Sequence, residues 1–300
     1  TVAPPRIDGR LDDDVWLAAQ PIDDFVQDEP DNLQPPTEHT VVQVAYDDQF
    51  VYVAVHCDAR DASQIRTSLG RRDNFPSSDM VAVFFDPRHD HQTGYMFRAN
   101  ASGVEADQGY YDDTRIDSDY DGVWDVATRL APDGWIAEFR IPFSQMRFTV
   151  PPGERAVWGF QFRRDIQTRG EYDVWVPRPR GAQGTVSRWG HLVFDDRLAP
   201  PRRLEVLPYT LGQFETRSGG STEVSANAGL DVRVGIGTSA TLAATVNPDF
   251  GQVEADPAVL NLSVFETFFP EKRPFFLEDS RTFVLPYNRM PDFYSRRIGH

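Results

Sequence analysis

Apolar residues in this chain recur at every second position, in short runs cut by prolines, glycines and acidic turns. Period two puts successive side chains on opposite sides of an extended backbone, so each run reads as a strand with one buried face. Residues 40–58 show it best. Val42, Val44 and Tyr46 alternate ahead of Asp47-Asp48-Gln49, and Val51, Val53 and Val55 follow with Tyr52, Ala54 and His56 between them. Two such runs around a tight acidic turn predict a hairpin. Further runs lie at Met80–Asp86, Gly94–Asn100, Trp124–Leu130, Trp135–Ile141, Val157–Asp165, Tyr172–Val176 and Trp189–Phe194. Turn-rich segments such as Ala131-Pro-Asp-Gly134 and Val150-Pro-Pro-Gly153 separate them, a spacing that indicates a sandwich. The 23 Pro and 21 Gly interrupt the chain too often for long helices. One helical candidate, Asp12–Ala19, has Asp12 or Asp13 as a cap and carries Val15 and Trp16.

At 300 residues the chain exceeds what one small core encloses, and two units are expected. The segment 196–203, Asp-Arg-Leu-Ala-Pro-Pro-Arg-Arg, is charged, proline-bearing and poor in anything to bury. It divides a sandwich over 1–197 from a second unit over 198–300. The formal charge of -16 argues against a nucleic-acid partner, because affinity for phosphates comes from excess Lys and Arg. The one cysteine, Cys57, has no intrachain disulfide partner and sits in a strand-like run, where it reads as a small buried apolar residue. No stretch has the length and apolarity of a membrane-spanning helix or the layout of a signal peptide. The opening Thr1-Val-Ala-Pro-Pro5 reads as a mature terminus after cleavage.

Past the linker the pattern sharpens. Between 223 and 236 Val224, Ala226, Ala228, Leu230, Val232 and Val234 alternate with Glu223, Ser225, Asn227, Gly229, Asp231 and Arg233. After Gly235–Ser239, Ala240, Leu242, Ala244 and Val246 repeat the apolar face. A barrel strand crossing a membrane needs ~9–11 residues with apolar side chains toward lipid, and this hairpin meets that demand. A soluble hairpin with one wet face would alternate in the same way, and the pattern leaves both open. A barrel needs eight strands or more, so on that reading the protein continues past residue 300.

The stretch 112–125 crowds Asp112, Asp113, Asp117, Asp119, Asp121 and Asp125 into what reads as a turn. Hard oxygen donors on a flexible loop suit Ca²⁺, although the spacing is not that of an EF-hand; a solvated acidic loop is the alternative. His89-Asp90-His91 suggests a transition-metal site, but along an extended chain the two imidazoles point to opposite sides and no third ligand is evident, which favours an exposed turn. No nucleophile elbow, Cys/His pair or phosphate-cradling glycine loop occurs, and with 46 acidic residues no carboxylate pair stands out, so no catalysis is expected. Flat aromatic faces beside polar groups hold sugars, and Phe75, Tyr110, Tyr111, Trp124, Trp158, Trp175 and Trp189 are available with Arg98, Arg163 and Arg164. Trp16, Trp135 and Trp158 lie in apolar-periodic contexts that favour the core.

Several strings then resemble the family-9 carbohydrate-binding modules: Ile7-Asp-Gly-Arg-Leu11 with Trp16, Val44–Val55, Ser78–Asp86, Gly94–Asn100, Gly134–Phe143 and Trp158–Arg164. They fall in the family's order. The resemblance implies a jelly-roll-like β-sandwich in an exported compartment, periplasmic or extracellular. In that family two tryptophans clamp a terminal sugar beside an arginine and amide side chains, and some members bind calcium. Arg98 falls on the binding arginine. The first clamp falls in Asn74–Ser77, with only Phe75 near; the second falls in Arg180–Gly184, without an aromatic; Arg163 stands where an amide is expected. Residues 203–300, notably Asn247–Asp256, Phe265–Glu278 and Tyr294–Gly299, resemble a domain of unknown function that follows such a module in large bacterial outer-membrane proteins. That implies antiparallel hairpins of a truncated β-barrel and contact with the outer membrane.

The first functional expectation is therefore a non-catalytic module that captures or guards a glycan-like ligand beside a barrel. The second is a structural module that packs on the barrel or on neighbouring copies and holds no small ligand. Haem is a third, poorly supported by a chain with one Lys.

Overall fold

The computed structural model describes residues 3–74, 77–118, 120–148, 150, 153–195, 198–199, 204–216, 222–236 and 240–247. The chain divides into two compact units, Thr1–Pro201 and Arg202–His300.

The first unit is a sandwich of two antiparallel sheets. One helical turn, α1 (Asp14–Ala18), and thirteen strands follow in order: β1 (Pro21–Ile22), β2 (Val26–Glu29), β3 (Thr40–Tyr46), β4 (Phe50–Asp58), β5 (Met80–Asp86), β6 (Gly94–Asn100), β7 (Glu105–Tyr111), β8 (Arg115–Asp117), β9 (Asp125–Ala131), β10 (Gly134–Pro142), β11 (Val157–Ile166), β12 (Glu171–Val174) and β13 (Gly190–Val193). A five-stranded sheet runs β1-β3-β4-β10-β9, and an eight-stranded sheet runs β2-β12-β11-β5-β6-β7-β8, with β13 also paired to β11. Hairpin β3–β4 forms where the alternation predicts it, and β5 and β6 occupy the expected residues. The helix is shorter than expected: Asp13 stands at its N-cap, but its carboxylate takes the backbone N–H of Arg6 at 3.0 Å instead of a helical one.

Alternation sorts the side chains. Val51, Val53, Val55 and Cys57 of β4 and Trp135, Ala137, Phe139 and Ile141 of β10 face Val81, Val83 and Phe85 of β5 and Trp158, Phe160 and Phe162 of β11 across one core. Tilted and edge-on ring pairs fill it, including Phe85 with Trp158 at 5.9 Å and Trp158 with Phe194 at 4.8 Å. Arg164 continues the inward row of β11. It is 1% exposed and donates to the His39 and Asp58 carbonyls and the Thr40 hydroxyl, at 2.9, 2.6 and 3.0 Å, so it ties the eight-stranded sheet to β3 and β4. Outside the five-stranded sheet, Glu138 is fully buried and closes the N-terminal segment. It accepts the backbone N–H groups of Asp8, Gly9 and Arg10 on one oxygen and Trp16 Nε1 on the other. Trp16 then packs with Tyr52 and Ala54.

The second unit shows a sheet of β14 (Leu204–Thr216), β15 (Thr222–Ile236) and β16 (Ala240–Val246), in that order. The register pairs Val206 with Val232 and Val232 with Ala244, so the aliphatic positions of all three strands share one face. On the outer strands that face is open, with Leu204 65% exposed, Leu242 57% and Val246 65%, while Leu230, Val232 and Val234 of the central strand are half-buried. On the opposite face Asp231, Arg233 and Thr245 are half-buried and Leu207 is exposed, and the Tyr209 ring covers Gly229, where an added Cβ would clash with it. An aromatic laid over a cross-strand glycine is a device that pins strand register.

One buried group gives the sandwich a pH signature. Asp173 of β12 is fully buried and neither of its oxygens receives a donor. Burial, and then the charge of neighbouring Glu171, push its carboxyl up to about 8. The folded value lies above the ordinary 3.8, so the fold prefers the protonated form. That stabilisation is complete below about pH 4 and is lost as the pH rises through about 8. All six Trp lie in the first unit, so their fluorescence follows its urea unfolding. Wild-type stability is expected to fall between about pH 5 and pH 8 by up to about 1.4 kcal/mol per pH unit more than that of Asp173→Asn, whose amide cannot ionise. Identical profiles would show that Asp173 ionises as an ordinary carboxylate.

Candidate functional site

The outward residues of the eight-stranded sheet form the candidate site. The register sets Arg163 of β11, Ala82 of β5, Arg98 of β6 and Ala106 of β7 in one row across the strands. Asp165 and Met80 occupy the row beside it. Buried Ala82 alone stands between Arg163 and Arg98 in that row, whose strands are two spacings, about 10 Å, apart, and Ala106 follows beyond Arg98. Asp165 is 2% exposed and binds Arg163 through both oxygens, Oδ1 to Nε at 2.5 Å and Oδ2 to Nη2 at 2.6 Å. Tyr172 of β12 lies under the same guanidinium at 4.3 Å, a cation–π contact that fixes its plane. Arg98 is half-buried; burial pulls its pKa below the ordinary value, the charge of Asp165 opposes this, and Arg163 adds to it. A desolvated guanidinium with a fixed fork partner nearby is built to bond hydroxyl or carboxylate oxygens.

Farther along the same face Phe84, Met96, Val186 and Trp189 form a small apolar cluster, with Tyr110 against it. The Tyr110 ring meets Trp189 at 5.6 Å and Phe84 at 6.2 Å, and burial raises its phenol pKa.

A family model described as carbohydrate family 9 binding domain-like matches residues 7–195. The chain belongs to that family. Residues 200–300 match a domain of unknown function, DUF5916. Among solved structures, the chain is similar to a family-9 module from Caldicellulosiruptor kristjanssonii in complex with cellotriose, at 18% identity and a TM-score of 0.45, over 67% of this chain and 96% of that one. The same organism's module in complex with glucose gives 18% identity and 0.45, over 66% and 94%. No curated protein matches the sequence.

The family-9 sandwich brings together some of the residues expected from sequence and separates others. Arg98, Arg163 and Tyr110 share the outer face. Tyr111 does not, because it follows Tyr110 on a strand and turns to the other side, where Arg115 lies 5.9 Å from its ring. Phe75 lies outside the described residues. No tryptophan offers an open face. Trp16, Trp124, Trp135, Trp158 and Trp189 are buried, and half-buried Trp175 donates Nε1 to Asp24 at 2.9 Å. Of the Arg180–Gly184 segment, Arg180, Gly181 and Ala182 line a polar cavity of about 490 Å³ with Asp28, Glu29, Pro30, Arg178 and Pro179.

The acidic stretch is not one loop. Residues Arg115–Asp117 form β8 and Asp125 begins β9, and the described carboxylates disperse to protein partners. Asp112 pairs with Arg115 at 3.7 Å and Asp121 with Arg72 at 3.5 Å. Asp113 accepts the N–H groups of Thr185 and Ser187 and the Ser187 hydroxyl, at 3.0, 2.9 and 3.0 Å. Burial pushes the Asp113 pKa up, but these hydrogen bonds together hold it below the ordinary value. Asp117 is half-buried in β8, and Asp119 lies outside the described residues. Among the described residues no three such donors stand around a shared centre.

The expectation that His89 and His91 diverge is wrong. Both adopt positive φ, 51° and 58°, so the turn is not extended and their rings stand 4.6 Å apart.

Sequence reasoning also missed Arg72. It reaches Glu105 at 2.7 Å, bonds Asp107, whose carboxylate also takes Trp124 Nε1 at 2.7 Å, and lies 5.7 Å over the Trp124 ring. It thereby fastens the 66–74 segment over the end of the site sheet, where the Ser68 carbonyl accepts the Asn100 side-chain amide. A lone Arg in a polar run gives no sequence signal of this. Arg72→Ala leaves the fully buried Asp107 side chain without its cation. It is expected to cost about 1–3 kcal/mol in urea unfolding and to open the 66–74 segment to protease ahead of global unfolding. Unchanged stability and cutting would remove the anchoring role.

Proposed function

We propose that residues 7–195 act as a non-catalytic carbohydrate-capture domain, with the ligand on the outer face over the row that carries Arg98 and Arg163. One observation carries this reading. In a member of a carbohydrate-binding family, the outer face of the eight-stranded sheet presents a half-buried Arg98 level with an Arg163 oriented by Asp165 and Tyr172. Planar donors held in place match the paired hydroxyls or the carboxylate of a sugar. With five tryptophans buried and Trp175 half-buried and tied to Asp24, stacking contributes little, so the ligand is bound chiefly by hydrogen bonds and charge. That chemistry favours acidic sugars over neutral glucans. Calorimetric titration of the chain with uronic-acid-containing and neutral oligosaccharides tests it. Acidic oligosaccharides are expected to bind, and Arg98→Ala to weaken them at least about tenfold, the ~1.5–3 kcal/mol of a charge-assisted hydrogen bond, without shifting Trp-monitored stability. No heat with either class would remove the ligand claim.

We further propose that the second unit belongs to an outer-membrane β-barrel and holds the sandwich in an exported compartment. The supporting observation is the alignment of the faces: the aliphatic face exposes Leu204, Val206, Leu242 and Val246 on the outer strands, while on the other face an oxygen each of Asp231 and Thr245 is buried and unpartnered. Water favours the opposite arrangement, whereas a barrel wall with a polar lumen requires this one. The chain is expected to float with phospholipid vesicles or to need detergent to stay monodisperse. Val206→Lys with Val232→Lys is expected to reduce flotation, since a Lys on the lipid face costs about 2–4 kcal/mol at mid-membrane. A chain that is monodisperse in plain buffer and ignores vesicles would overturn this assignment.

A further inference from the structure

We infer that His89, His91 and His191 form a binding site for a divalent transition-metal ion of the zinc type. Three of the chain's six histidines meet here from distant parts of the sequence. The His89 ring centre lies 4.6 Å from that of His91 and 5.0 Å from that of His191, and the last two are 6.4 Å apart. His89 Nε2 and His191 Nδ1 are 2.9 Å apart.

The backbone explains the gathering. Asp86 of β5, Gly159 of β11 and His191 of β13 lie in one row across the sheet. Gly159 has no side chain to separate them, and a Cβ there would come within 2.8 Å of Asp86. The buried Asp86 carboxylate accepts the backbone N–H of His91 at 2.9 Å and so folds the 86–93 turn back over this row. Asp90 closes the turn by accepting the N–H groups of Gln92 and Thr93, at 2.8 and 2.7 Å. His89 and His91 are both held in the left-handed region, which costs of order 1 kcal/mol or more each for a side chain of this kind.

A second observation points to a ligand. His91 Nδ1 is buried and has no hydrogen-bond partner. An orphaned buried imidazole nitrogen costs about 1–3 kcal/mol, which a bond to a metal would remove. Nitrogen donors select borderline ions such as Zn²⁺ over Ca²⁺ or Mg²⁺. The donors do not yet surround a common centre. Two nitrogens at ~2.0–2.1 Å from a tetrahedral zinc lie about 3.3 Å apart, so the His89–His191 pair has to open by a few tenths of an ångström. His191 is exposed and His89 half-buried, so both rings have room to turn. The bound ion would pin the β5–β6 turn to β13. The cluster lies four residues along the strands from the Arg163–Arg98 row, about 13 Å away, and is distinct from the carbohydrate site.

Titration of the metal-free 300-residue chain with Zn²⁺, and with Co²⁺ as a spectroscopic probe, tests the inference. One equivalent is expected to bind, with the absorption of tetrahedral cobalt. His191→Ala, at an exposed position, is expected to lower affinity at least about 10–100-fold. His39→Ala, on the five-stranded sheet, is expected to leave it unchanged. Trp fluorescence confirms that both variants fold. Absence of binding, or binding that survives His191→Ala or is lost in His39→Ala, would overturn the site.

Discussion

Strand β11 is the constraint on which the sandwich rests. Its inward residues Trp158, Phe160 and Phe162 supply much of the aromatic core, and Arg164 ends the same row by bonding the opposite sheet. Its outward residues Gly159, Gln161, Arg163 and Asp165 build the surface. A slip of one residue would exchange the two sets, burying Arg163 and exposing the rings, so the core fixes the register of the site. Gln161 adds a lock: its side chain donates to the Val176 carbonyl and accepts the Val176 N–H, each at 2.9 Å, holding the strand that carries Tyr172 beside Arg163.

The same logic explains which parts were legible in the sequence. Strands with an aliphatic or aromatic inner face, such as β4, β5, β6 and β11, announce themselves by alternation. Strand β7 does not, because its covered residues include Ala106, Asp107 and Gly109, and a buried aspartate paired to an arginine on a distant loop looks like a polar loop residue. Arg98 and Arg163 could be placed on one face because β6 and β11 were legible, whereas Tyr110 lies on β7, which was not. Tyr111 was misjudged by proximity along the chain, which on a strand means the opposite face. The histidine cluster was hidden for a related reason: a sequence shows neither the positive φ values that bring His89 and His91 together nor the row that brings His191 to them.

Buried polar groups serve the sandwich mainly as anchors for irregular segments. Glu138 captures three consecutive backbone N–H groups and Trp16, which makes the Ile7-Asp-Gly-Arg10 string a clasp over the five-stranded sheet. Asp113 holds the 185–187 turn, and Arg72 holds the segment ahead of β5. In each case the charged group is surrounded by donors or an opposite charge. Strings that identify a family thus need not be its binding residues: here several of them are the fastenings of loops around a shared scaffold.

The two units use the same period-two code differently. In the sandwich the apolar alternates point inward, and buried charged groups such as Arg164 and Glu138 meet partners, with Asp173 the exception. In the sheet of β14, β15 and β16 the aliphatic alternates line up across all three strands, exposed on the outer two and half-buried on β15, while an oxygen each of Asp231 and Thr245 on the other side is buried and unpartnered. In water such a sheet would combine two costs, exposed hydrocarbon and desolvated polar atoms. Both are removed if hydrocarbon meets the aliphatic side and a hydrated lumen meets the other, which is the arrangement the proposed barrel would supply.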